Sequence, residues 1–129
     1  MQCHTPGDVC DQARAGLLGD LGRLDEAIKR ADQILSVAES SGMEVSAARL
    51  GQNQARDELT KARVTIHSFR KDLVDQDIQA GLNIAAKNER AGQKAMAERN
   101  YRRVGLGVSL VAIAFMLIGL RLYIKQIER

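Results

Sequence analysis

The sequence predicts an all-α protein: an antiparallel helical hairpin, coiled-coil-like, followed by a single C-terminal transmembrane helix. Three observations carry that expectation. Apolar residues recur at alternating steps of three and four, the heptad spacing of packed helices. The 129 residues hold one proline and no tryptophan, and Ala, Leu, Arg, Lys, Glu, Asp and Gln dominate the region before the last helix. That is a composition of long helices, not of a compact sheet. Finally, Val104–Leu120 carries no charge, and Leu122, Tyr123 and Ile124 prolong the run past Arg121.

From the N-terminus, residues 1–8 read as a loop, with the only proline, Pro6, followed by Gly7. Asp8 suits an N-cap, and Asp11 places acid in the first turn. A helix is expected from about Val9 to Ala38, its seam formed by Leu17, Leu21, Leu24, Ile28, Ala31, Leu35 and Ala38. Gly16, Gly19 and Gly22 weaken its first half by about 1 kcal/mol each relative to alanine, or let a neighbour come close. Ser40-Ser41-Gly42 ends it, with Gly42 as a left-handed stop.

A second helix starts near Glu44. Its seam is Val45, Ala48, Gln52, Ala55, Leu59, Ala62, Ile66, Phe69 and Leu73. Two heptad helices joined by a short turn predict the hairpin. No proline follows, so this helix is expected to continue into the C-terminal one. After Leu73 the register slips, and Ile78, Leu82 and Ala85 carry the apolar face onward as a stutter would. Lys87–Arg103, charged and rich in alanine, reads as a solvated stalk. Thr60, Val64, His67, Lys71, Val74 and Ile78 form a second, rotated face. It is either a surface against something beyond the hairpin or a set of scattered surface apolar residues.

The last segment, residues 101–129, reads as a membrane anchor with a span of about 104–124 and a short basic tail. A helix of about 17–25 apolar residues crosses a bilayer core. Arg121 fits if its aliphatic stem lies along lipid and its guanidinium reaches the headgroups. Tyr101, Arg102 and Arg103 border one end, and Arg121, Tyr123, Lys125 and Arg129 the other, as at membrane–water interfaces. Gly105 and Ser109 make a weak small-xxx-small step. The domains expected are thus a loop over 1–8, the hairpin and stalk over 9–100, and the anchor over 101–129.

The net charge of +3 comes largely from the flanks of the anchor. It suits anionic lipid headgroups, and no basic patch interleaved with aromatics points to nucleic acid. No Ser-His-acid set, glycine-rich phosphate loop or catalytic pair of acids is visible, and two histidines are too few for a hydrolytic metal site. Asp25, Glu26, Asp57, Glu58, Asp72, Asp75 and Asp77 lie among Lys and Arg on helix faces and read as solvated ion pairs.

The dipeptide Cys3-His4 stands apart. Covalent haem attachment uses Cys-x-x-Cys-His, two thiols on the porphyrin and an adjacent imidazole on iron. Met1-Gln2-Cys3-His4 supplies all but the first cysteine. Cys10 has no partner at metal spacing and reads as a small buried hydrophobe, with a disulfide to Cys3 as an alternative.

Read together, Cys3 to Asp11, the helical hairpin, Val64-Thr65-Ile66-His67-Ser68-Phe69, and Tyr101 to Ser109 running to Glu128 resemble the C-terminal end of bacterial membrane-anchored multihaem c-type cytochromes. The resemblance implies a haem c cofactor with Cys3 in a thioether bond and His4 as proximal iron ligand. It makes His67 a candidate distal ligand or haem-propionate partner, against an ordinary surface histidine. It implies that the chain is a C-terminal fragment, with Met1 internal to a longer protein. The function implied is electron transfer at the bacterial inner membrane, with the soluble part periplasmic and with redox partner proteins. The alternative expectation is a non-catalytic, C-terminally anchored hairpin that binds other helices. It follows from the polar N-terminus and from the excess of Lys and Arg before the anchor, which would put the soluble part in the cytoplasm if Met1 is the true start. In both readings the bilayer is a partner.

Overall fold

The computed structural model describes residues 9–68 and 70–128, and among them every regular element is helical. The expected loop over 1–8 and the seam residue Phe69 lie outside the described residues. The elements are α1 (Val9–Ser40), α2 (Ser46–Thr65), a single 3-10 turn (Ile66–Ser68) and α3 (Lys71–Ile127). The chain divides into two units, Met1–Ala95 and Met96–Arg129.

The first unit holds one core drawn from three helices. Leu24, Ala27 and Ile28 of α1 meet Ala55, Leu59 and Ala62 of α2 and Val74, Ile78 and Ala85 of α3. Leu24, Leu35, Val74 and Ile78 are almost wholly buried. Burial of each such side chain stabilises by roughly 1.5–3 kcal/mol. The buried positions of α1, from Leu24 through Ile28, Ala31 and Leu35 to Ala38, keep the heptad steps expected of them. Those of α2 do the same through Ala48, Gln52, Ala55, Leu59 and Ala62.

The two turns are made differently. Gly42 adopts φ +77°, a conformation that costs glycine nothing. Its N–H donates to the Glu39 carbonyl at 2.9 Å, and the Met43 N–H to the Ala38 carbonyl at 3.0 Å. These two bonds satisfy carbonyls that the end of α1 leaves open. The hydroxyls of Ser40 and Ser41 both donate to the Val37 carbonyl. At the start of α2, the Glu44 carboxylate accepts from the Ser46 N–H at 3.0 Å. Hydrogen bonding by Ser46 holds the Glu44 carboxyl below its usual range.

The second turn overturns one expectation. The helix that begins at Ser46 does not continue into the C-terminal one; it ends at Thr65, and α3 begins at Lys71. No proline or glycine lies between them. The break is set by burial: it brings Val74 and Ile78 into the core, which a straight helix could not do. The apparent register slip after Leu73 is therefore a change of helix. The rotated face divides accordingly, Val64 being 67% exposed while Val74 and Ile78 are core residues.

The stalk is corrected as well. Asn88, Gly92 and Ala95 are buried, so the helix is packed rather than solvated up to Ala95. Close approach is built in at two glycines of α3. A Cβ on Gly81 would stand 2.9 Å from both methyl groups of Leu24, and one on Gly92 would stand 2.7 Å from Cγ2 of Ile34.

Candidate functional site

His67 lies in the 3-10 turn and is exposed. Ion pairs and hydrogen bonds surround this turn. The Thr65 hydroxyl bonds Asp77 Oδ2 at 3.0 Å, Arg70 pairs with Asp72 at 2.8 Å, and Lys71 with Asp75 at 2.8 Å. The hydrogen bond from Arg70 holds the Asp72 carboxyl below its usual range, and the bond to Asp75 raises Lys71. Cys3 and His4 lie outside the described residues. Cys10 falls within α1, with its side chain outside the described set. Among the described residues, no three His, Cys, Asp or Glu side chains converge so as to hold a metal ion. Of the three haem-binding candidates, His67 alone is described, and a lone exposed imidazole does not by itself make a haem site.

Comparison with family models, curated proteins and solved structures finds no match to this chain. What the residues can do therefore rests on their own geometry.

Two features stand out. The first is a buried polar layer across the three helices. Gln52 is 1% exposed and Asn88 4%. The Gln52 amide nitrogen donates to the backbone carbonyl of Ile28 in α1, and its oxygen accepts from Asn88 Nδ2 at 3.1 Å. Gly51 gives the Asn88 amide its space, since a Cβ there would stand 2.6 Å from Oδ1. A buried polar pair of this kind is favourable only while each member is partnered. It therefore ties the helices to one register. Gln52 is legible in the sequence as a polar residue at a seam position. Asn88 is missed because its segment reads as solvated.

The second is the apolar part of α3. By length and composition this helix can cross a membrane. Val104, Leu106, Val108, Leu110, Val111 and Ile113 are exposed, and so are Phe115, Met116, Leu117, Ile118, Leu120 and Leu122. Apolar side chains thus face outward on every side of the helix, which is costly in water and favourable in lipid. The Ser109 hydroxyl donates to the Gly105 carbonyl one turn back at 3.0 Å, so its hydrogen bond is satisfied within its own helix.

The outer surface of the first unit is charged. Arg49 of α2 reaches Asp32 and Glu39 of α1 at 2.8 Å each, and also Ser36. Arg56 reaches Asp32 at 3.3 Å, and Arg63 approaches Asp25 at 3.9 Å. Within α1, the hydrogen bond from Lys29 lowers the Asp25 carboxyl, and the same bond raises Lys29.

Proposed function

We propose that the protein is a non-catalytic, membrane-anchored helical module. Residues 104–124 lie in a bilayer, and an antiparallel pair formed by α1 and α2 is closed by the start of α3. The carrying observation is the run of apolar side chains exposed all round α3, bordered by Tyr101, Arg102 and Arg103 before it and by Arg121, Tyr123 and Lys125 within and after its end. The antiparallel pairing is supported by the order of the cross-helix ion pairs. As α2 advances through Arg49, Arg56 and Arg63, its partners retreat from Glu39 through Asp32 to Asp25. The bilayer is the first partner, with Arg102 and Arg103 at its headgroups.

The test is extraction of membranes that contain the full chain. The native chain is expected to stay with the membrane in alkaline carbonate and to leave only with detergent. Ile113→Arg with Leu117→Arg should release it, since each arginine at mid-span costs about 2.5–3.5 kcal/mol. Release of the native chain by carbonate refutes the anchor.

Electron transfer is kept as a second proposal because of one observation. His67 is exposed on the α2–α3 turn, and Arg63 and Lys71 lie near Asp25 and Asp20, on the half of α1 that leads back towards Val9. If haem c is bound in a longer protein, Cys3 and His4 would attach and ligate it and His67 would be the second ligand. A haem supplies one-electron chemistry when held in this way. A pyridine haemochrome spectrum of the longer in-frame product tests it, and no haem signal in that product refutes it.

A further inference from the structure

Most cations of the first unit are matched by a neighbouring acid. Arg23 pairs with Asp20, Lys29 with Asp25, Arg49 with Asp32 and Glu39, Lys61 with Glu58, Arg70 with Asp72 and Lys71 with Asp75. Lys87, Arg90 and Lys94 of α3 are not. All three are exposed, and none meets a carboxylate among the described residues. The acid nearest in sequence, Glu89, accepts instead from the Gln93 amide.

Their placement makes them one surface. The buried line of α3 runs through Ile78, Gly81, Ala85, Asn88, Gly92 and Ala95. Lys87, Arg90 and Lys94 stand at i, i+3 and i+7, so they share one face of a helix. That face lies away from the buried line; its other members within the first unit include Asn83, Ala86 and Gln93, which are uncharged, and Glu98, four residues past Lys94 in sequence, pairs with Arg102. The result is a run of three cations about two turns long, whereas Arg30 of α1, also exposed and without a carboxylate among the described residues, stands apart from it.

We propose that this stripe is a docking surface for an acidic helix of a partner protein, with carboxylates at the matching i, i+3 and i+7 positions. Charge complementarity chooses the occupant. A second copy does not fit, because the acidic line of α1, Asp25, Asp32 and Glu39, is already paired with Arg63, Arg56 and Arg49 of α2, and Asp57 of α2 stands beside Lys61. A bilayer surface is already matched by Arg102 and Arg103, which abut the apolar stretch, whereas Lys94 precedes that stretch by ten residues. Single-stranded nucleic acid is disfavoured because no aromatic residue is interleaved with the three cations. The proposal does not depend on the anchor: the stripe belongs to the first unit whether or not residues 104–124 span a membrane.

The experiment uses the full chain in uncharged detergent micelles. The probe is a fluorescent peptide helix with glutamate at i, i+3 and i+7, and anisotropy measures its binding. A scrambled peptide of the same composition, phosphatidylglycerol vesicles and duplex DNA serve as competitors. One variant combines Lys87→Gln, Arg90→Gln and Lys94→Gln. A control removes the same charge elsewhere through Arg23→Gln, Lys61→Gln and Lys71→Gln. The expected result is binding of the patterned peptide that weakens about tenfold or more in the first variant and less than twofold in the control. It should also fade as salt rises from 50 to 500 mM. Equal loss in the two variants overturns the proposal, because net charge alone would then explain binding. So does equal binding of the scrambled peptide, or displacement of the patterned peptide by vesicles or DNA at lower charge concentration. No binding at all by the native chain overturns it too, and circular dichroism confirms that each variant keeps the native helix content.

Discussion

Gly92→Ala and Gly19→Ala make the same chemical change in two helices of one core, and the structure predicts opposite signs. Alanine is favoured over glycine inside a helix by about 1 kcal/mol. At Gly19 nothing lies within 4 Å of a new Cβ, so the full gain of about 1 kcal/mol is expected. At Gly92 the Cβ would meet Ile34 Cγ2 at 2.7 Å, Cγ1 at 3.3 Å and the Ile34 carbonyl carbon at 3.4 Å. Ile34 is β-branched and stiff at χ1, and one of the three atoms is backbone, so relief requires a shift of the helix. Overpacking of this kind costs about 1–3 kcal/mol, which cancels or exceeds the propensity gain. The propensity gain is common to both, so the two variants should differ by the overpacking cost alone, about 1–3 kcal/mol. Urea unfolding of the detergent-solubilised chain, followed by circular dichroism, measures it. With a slope of about 1–3 kcal/mol per molar, the midpoints should lie about 1 M apart, Gly19→Ala above the native chain and Gly92→Ala at or below it. If both variants raise the midpoint equally, α3 does not pack against α1 at Gly92 and the three-helix core is wrong.

Other outcomes follow from the same contacts. Gln52→Ala and Asn88→Ala should each cost about 1–3 kcal/mol by leaving a buried amide unpartnered. Their double variant should cost less than the sum, as a double-mutant cycle in urea would show. Lys71→Pro should be neutral or mildly stabilising, because proline at the first position of α3 loses no helical bond. Val64→Pro, inside α2, should cost about 3 kcal/mol or more, and thermal melts compare the two. A continuous helix through residues 66–70 would be damaged by both. Stability should plateau between roughly pH 5 and pH 10. Asp25 and Asp72 are held below the ordinary 3.8 and Glu44 below 4.5, so their contribution is lost as acid protonates them. Lys29, Lys61 and Lys71 are raised above 10.5, so theirs is lost as the pH climbs through those raised values. Five of the six groups are exposed and Asp25 is partly so, and the urea midpoint should therefore respond shallowly at both ends and less so in high salt.

Much of the chain is legible in its residues alone. The heptad seams of α1 and α2, the stop at Gly42 and the apolar run from Val104 onward are local features, written in spacing, in one left-handed glycine and in hydropathy. The α2–α3 turn is not legible in that way. Thr65 to Lys71 holds no helix breaker, so local preference permits a straight helix there. Only burial of Val74 and Ile78 against the other helices decides for a turn. The same choice converts Asn88, Gly92 and Ala95 from a solvated stalk into core, and it creates the polar layer with Gln52. Helicity and the position of the apolar C-terminal helix thus follow from residue order and hydropathy. Which helix faces meet is left to tertiary packing, because side chains distant in the chain must come together before their burial outweighs a backbone preference of a few tenths of a kcal/mol per residue.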